Sequence, residues 1–182
     1  MEARRISNLL RLGFIVVTHI IWVIQAIPQD KYHQLDNFGT IFIDTEQKYN
    51  WFQAWNECAM RNLTLITVDT AAKNAALTTL LRNEKLKINL FIGGHDLAEE
   101  GRFVWPLTGK HFDFVNWNVG NPDNYNNSEH CVHIWEKTDY EWNDTRCGAK
   151  MGFICEENPY LALSHRVLEV KRDLINQILL LQ

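Results

Sequence analysis

Four cysteines behind a basic-headed apolar run constrain this chain more than any other feature. Cys58, Cys131, Cys147 and Cys155 follow an N-terminal segment in which Arg4 and Arg5 precede a run from Leu12 to Ile27. That run is broken only by Gly13, Thr18, His19 and Gln25, and it offers Ala26 as a small residue near its end. A positive head, an apolar stretch and a small residue describe a secretory leader. Residues 1–27 are therefore read as a signal peptide and the protein as secreted and extracellular. The alternative is a type II membrane anchor, but the stretch is short for the roughly 20 apolar residues that span a bilayer, and it contains a histidine. In an oxidising compartment the cysteines persist as two disulfides, with three pairings open by arithmetic.

Seven tryptophans and nine phenylalanines in 182 residues are too many large apolar side chains to leave in water, so one folded domain with a core is expected. The net charge is −4, and beyond residue 27 there are 15 basic against 21 acidic residues, or −6. A polyanion meets general repulsion, which excludes a nucleic-acid binder on charge.

Along the chain, residues 28–35 read as a linker and 38–43 as a first strand ahead of a polar segment. Trp51, Trp55, Cys58 and Ala59 recur at helical spacing and place Cys58 on an inward stripe. Residues 63–68 form a short strand, and Asp69 or Thr70 caps a second helix that runs towards Leu81 and ends within Asn83–Lys87. Short apolar pieces then alternate with polar turns, which suits a small sheet with irregular loops rather than a parallel nucleotide-binding fold. Residues 116–130 hold six asparagines and one proline. Amide and carboxylate oxygens at Asn121, Asp123 and Glu129 can surround a hard divalent ion, and a cis peptide before Pro122 would aim the flanking side chains at one point.

Several stretches then occur in a familiar order: FIGG at 91–94, EGRFVW at 100–105, WND at 142–144 ahead of Cys147, and FICE at 153–156. In these the chain resembles the C-type lectin-like domain, of the secreted carbohydrate-binding type, over residues 36–156. The resemblance implies an α+β fold with two helices, small antiparallel sheets, a long calcium-binding loop and two disulfides. It implies Cys58 paired with Cys155 and Cys131 with Cys147. It also implies a Ca²⁺ site made by Asn121, Asp123, Glu129, Asn143 and Asp144, and those residues supply the oxygens that calcium prefers. The same five, with Tyr125 as an aromatic platform, would hold a sugar whose paired hydroxyls replace water on the ion. Trp142 would pack beneath the loop. Mannose-binding members carry Glu-Pro-Asn and galactose-binding members Gln-Pro-Asp; this chain has Asn121-Pro122-Asp123. Amide first and acid second lies nearer the galactose type, so terminal galactose is the expected glycan. The shorter Asn121 gives weight to the alternative, a calcium-independent extracellular protein-interaction module on the same scaffold.

Asn62 is the glycosylation candidate, because Asn126 and Asn143, which also stand in acceptor motifs, fall in or beside the proposed site. Enzymatic activity is not expected. His130 and His133 flank a disulfide cysteine and lack zinc-site spacing, and Ser128, Glu129 and His130 have no nucleophile elbow around them. Residues 157–182 read as an amphipathic helix with Val167, Val170, Leu174, Ile178 and Leu181 along one seam, available for self-association.

Overall fold

The structure, a computed structural model, describes residues 31–179. The leader read into residues 1–27 lies outside the described residues. Strand β1 is Tyr32–Leu35 and β2 is Gly39–Tyr49; helix α1 is Trp51–Ala59, followed by β3 at Leu63–Leu65 and helix α2 at Ala71–Asn83. Then come β4 (Leu90–His95), β5 (Cys131–Ile134), β6 (Trp142–Thr145), β7 (Met151–Glu157) and helix α3 (Pro159–Leu179).

Local chemistry places the helices. Asn50 and Gln53 close a reciprocal cap on α1: the Gln53 N–H donates to Asn50 Oδ1 at 2.8 Å and the Asn50 N–H to Gln53 Oε1 at 3.0 Å. The buried stripe of α1 is Trp51, Ala54 and Cys58. Trp55 and Ala59, which the spacing assigns to the inward face, lie at the surface. Steps of three and four from Trp51 run through Ala54, leaving Trp55 at the rim with its ring 5.4 Å from that of Trp51. Thr70 caps α2 by accepting from the Lys73 N–H at 3.2 Å. Burial pushes the Glu156 carboxyl upward in pKa and Lys73 opposes this; Glu156 takes the Lys73 ammonium and the Thr67 N–H, tying α2 to β7.

The sheet departs from the expectation of small antiparallel pieces. Among the described residues seven strands join in one sheet, in the order β1-β2-β7-β4-β5-β6, with β3 also on β7. β7 is the organising strand. One edge pairs antiparallel with β2 (Ile41↔Glu156, Ile43↔Ile154), while the other is shared between β4, parallel at Gly152 and Phe153, and β3, antiparallel from Cys155 to Glu157. The parallel β4–β7 pair joins what would otherwise be two sheets. β2 runs on to Tyr49 through an irregularity after Asp44, and residues 32–35 form a strand where the sequence reads as linker, with Leu35 buried.

The core contains Ile41, Ile43, Leu77, Leu81, Leu90, Ile92, Val132 and Ile154, together with Trp105 and Trp142. Two glycines mark close approaches. A Cβ on Gly94 would lie 2.3 Å from the Phe112 ring, and one on Gly152 would lie 2.3 Å from the Asp44 carbonyl. The disulfides are Cys58–Cys155, tying α1 to β7, and Cys131–Cys147, closing the end of the β5–β6 hairpin. Among the described residues no helix is long and apolar enough to cross a membrane.

Candidate metal centre

The long β4–β5 connection and strand β6 meet through Trp142. Its indole is fully buried and edge-on to the rings of Trp105, Phe112, Phe114 and Trp117. Its backbone N–H donates to the Asn116 carbonyl at 2.7 Å, and its carbonyl accepts from the Asn118 N–H at 2.9 Å. The loop is thus stitched to β6 one residue before Asn143 and Asp144. Those two are held in register by β5, where Asn143 faces His133 and Asp144 faces Val132.

Asp144 is fully buried and organises the loop tip. Its two carboxylate oxygens accept from the backbone N–H groups of Asp123 at 3.1 Å and Asn124 at 2.7 Å. The Asn121–Pro122 peptide just upstream is cis. Asn124, Asn126 and Asn127 have φ of 42°, 56° and 50°, the left-handed region that asparagine tolerates better than most residues, which accounts physically for these three of the loop's asparagines. Asn124 Oδ1 then accepts from the Glu129 N–H at 3.1 Å, turning Glu129 back towards the tip.

The result brings Asp123, Glu129 and Asp144 together, with carboxylate oxygens all within 4.8 Å of one another. Oxygens coordinating one calcium ion at about 2.4 Å lie no more than about 4.8 Å apart, so the three fit a single ion. The Glu129 carboxyl is raised above the usual glutamate range, first by burial and then by the Asp144 and Asp123 charges; the Tyr125 backbone bond and Arg146 oppose this more weakly. Carboxylates crowded in this way are relieved by a cation. Asp144 still has lone pairs to give, since each of its oxygens accepts only one of the loop amides.

Asn143 places its amide nitrogen 3.3 Å from His133 Nε2 and against the Asp144 carbonyl. His133 is buried, and burial pushes its pKa down to about 4, so the ring is neutral near neutral pH. With its amide nitrogen so placed, Asn143 has Oδ1 as the oxygen it can offer an ion. The sequence offers no signal for this role of His133 beyond its place opposite Asn143 in the hairpin. Asn121 stands at the cis bond. Tyr125 opens a short 3-10 turn, Tyr125–Asn127, with its side chain exposed. Asn62 is exposed in a left-handed turn between α1 and β3.

A second cluster adjoins the first and escapes the sequence reading. His130 Nδ1 lies 3.1 Å from Asp96 Oδ1 and 3.4 Å from Glu100 Oε2, with Asp96 buried. The four-residue step from Asp96 to Glu100 hints at it, but the place of His130 depends on the fold.

Residues 47–157 match the family described as Lectin C-type domain. The chain is 41% identical over 170 residues, 90% of its length, to the lectin subunit alpha of Sarcophaga peregrina, of which it spans 59%. It is 34% identical over 128 residues to salivary C-type lectin 2 of Aedes albopictus, covering 62% of this chain and 85% of that one. Among solved structures, the carbohydrate-recognition domain of cow CD23, determined in the presence of a GlcNAc2Man3 oligosaccharide, matches with a TM-score of 0.56 and 26% identity over 64% of this chain and 84% of that one. Human lithostathine matches with a TM-score of 0.60 and 25% identity over 69% and 95%.

Proposed function

The chain belongs to the C-type lectin domain family, a carbohydrate-binding and non-enzymatic family whose members generally bind Ca²⁺, and from that premise we propose that it holds glycans through Ca²⁺ with a preference for galactose-type sugars. The observation that carries the reading is the convergence of the Asp123, Glu129 and Asp144 carboxylates at the loop tip. Asn121 and Asn143 add amide oxygens, bringing the donor set near the number calcium takes. An ion held there supplies open positions to a pair of sugar hydroxyls. The chain's own residues do the selecting. Asn121, Asp123, Glu129 and Asn143 accept from or donate to those hydroxyls, and a sugar whose hydroxyls point elsewhere exchanges good water contacts for poor ones. The exposed Tyr125 ring offers an apolar face to the sugar. Asn121 ahead of Asp123 keeps the amide-then-acid order on which the galactose preference rests.

Two disulfides suit an oxidising compartment, which supports secretion, with the leader removed and glycan attached at the exposed Asn62. More than one domain per assembly, joined through α3, would add avidity to a shallow site. The test is capture on galactose and mannose matrices with Ca²⁺ present, followed by a chelator. Retention on galactose above mannose and release by chelator are expected. Retention on neither, with folding verified, would replace this reading with the calcium-independent protein-binding module favoured by the short Asn121 side chain.

A further inference from the structure

Helix α3 spans 21 residues from Pro159 to Leu179, and none of them is buried. Its large apolar side chains, Leu163, Val167, Val170 and Leu174 among them, are exposed. In water a helix of this length draws most of its stability from covering an apolar face, so such exposure calls for an occupant. Tyr160, Leu163, Val167, Val170 and Leu174 follow steps of three and four, the a and d positions of a two-helix seam.

The charges flanking that seam decide what covers it. Arg166 and Asp173 occupy the g positions, and Ser164, Lys171 and Ile178 the e positions. In a parallel pair, g faces the e position of the following heptad on the partner helix, so Arg166 would meet Lys171 and like charges would repel on both sides. In an antiparallel pair, g faces g and e faces e. With Val167 of each copy layered on Val170 of the other, Leu163 falls on Leu174 and Tyr160 on Gln177. Arg166 of each copy then faces Asp173 of the other, giving two attractive pairs, and Lys171 faces Ser164. Within the helix Asp173 pairs with its neighbour Arg172, 3.6 Å away and equally exposed. Geometry agrees: the lectin domains attach at the helix N-termini, and 21 residues at about 1.5 Å each set those ends about 30 Å apart in an antiparallel pair.

We infer that α3 is an assembly element that pairs antiparallel with α3 of a second copy of this chain, through the seam from Tyr160 to Gln177. The stripe of Leu161, Leu168 and Ile175, about 100° further round the helix, lets two such pairs stack, so the assembly grows in even numbers. Joined to the lectin reading, the arrangement sends two recognition domains to opposite ends and suits the bridging of two glycan surfaces. The pairing itself does not depend on sugar or calcium.

The test is sedimentation equilibrium of the full secreted chain in chelator, which isolates assembly from any lectin activity. Twice or four times the chain mass is expected, and Val167→Asp, which reverses the seam without touching the buried core, should give the monomer. The sign of the charge variants reports direction. Arg166→Asp sets Asp against Asp173 twice in the antiparallel pair and should weaken pairing roughly tenfold; Asp173→Arg should do the same, and the double exchange should restore it. A monomeric or trimeric parent chain, a double exchange that fails to restore pairing, or tighter pairing in Arg166→Asp, the outcome of a parallel pair, would overturn the inference. Near-ultraviolet circular dichroism of each variant checks the domain.

Discussion

Replacing Asp144 with asparagine separates the loop-organising role of this residue from its charge. The Asp144 carboxylate is fully buried and accepts from two loop amides, Asp123 N–H at 3.1 Å and Asn124 N–H at 2.7 Å. An asparagine keeps one acceptor oxygen and turns an NH₂ group on the other amide, donor against donor. Hydrogen bonds to a charged group contribute about 1.5 to 3 kcal/mol each, so losing one and weakening the other should cost about 2 kcal/mol of loop-tip stability. That corresponds to roughly 30-fold faster opening-limited exchange at these two amides. Hydrogen exchange measured in chelator reads this directly, and a calcium titration of the same variant should show at least tenfold weaker binding, since a negative ligand is gone. Asp139→Asn is the control: its pair with Arg82 is solvent-exposed and should leave both readouts unchanged. Unaltered protection of the Asp123 and Asn124 amides in the Asp144 variant would refute the claim that this carboxylate builds the loop.

Three further outcomes follow from the same structure. Burial holds His133 down to a pKa of about 4, below the ordinary histidine value of about 6.5, so the unfolded chain binds the proton first; stability should be full above about pH 6.5 and fall by about 3 kcal/mol as pH drops towards 4, and His133→Gln should flatten that part of the denaturation-midpoint profile. Gly94→Ala forces a Cβ to 2.3 Å from the Phe112 ring, which is itself stacked on Trp105 at 4.2 Å; the variant should lose about 1 to 3 kcal/mol, and an unchanged thermal midpoint would mean the ring moves freely. The raised Glu129 carboxyl lets protons compete with the metal at a higher pH than an ordinary glutamate would; calcium affinity should decline as the solution is acidified, and Glu129→Gln should bind more weakly but with a flatter pH dependence.

How much of this was legible in the residues depends on the range of the interactions involved. Helix α1 announces itself through the spacing from Trp51 to Cys58, and the start of α2 through Thr70, because capping and periodicity act within one or two turns; the reciprocal Asn50–Gln53 cap shows only in the structure. The asparagine-rich loop reads as a ligand source because its residue types carry the chemistry themselves. The parallel β4–β7 pair that joins the strands into one sheet has no local signature, since Phe91 and Phe153 meet from 62 positions apart. β1 is missed for a similar reason: Tyr32–Leu35 buries one strong apolar residue, Leu35, and depends on its neighbour strand. Spacing alone puts Trp55 inward, yet the face of α1 is set by tertiary packing, and Ala54 takes that place. The partnership of His133 with Asn143, and of His130 with Asp96 and Glu100, arises only once β4, β5 and β6 are side by side.

On the proposed reading, Asn121, Asp123, Glu129, Asn143 and Asp144 hold one Ca²⁺ and present it to a sugar. Isothermal titration of Ca²⁺ into the metal-free protein, with and without saturating galactose, addresses it most directly. One ion per chain is predicted, with galactose tightening calcium by the same factor by which calcium tightens galactose, as linkage requires. Calcium that fails to bind, or that binds with an affinity indifferent to the sugar, would contradict the account.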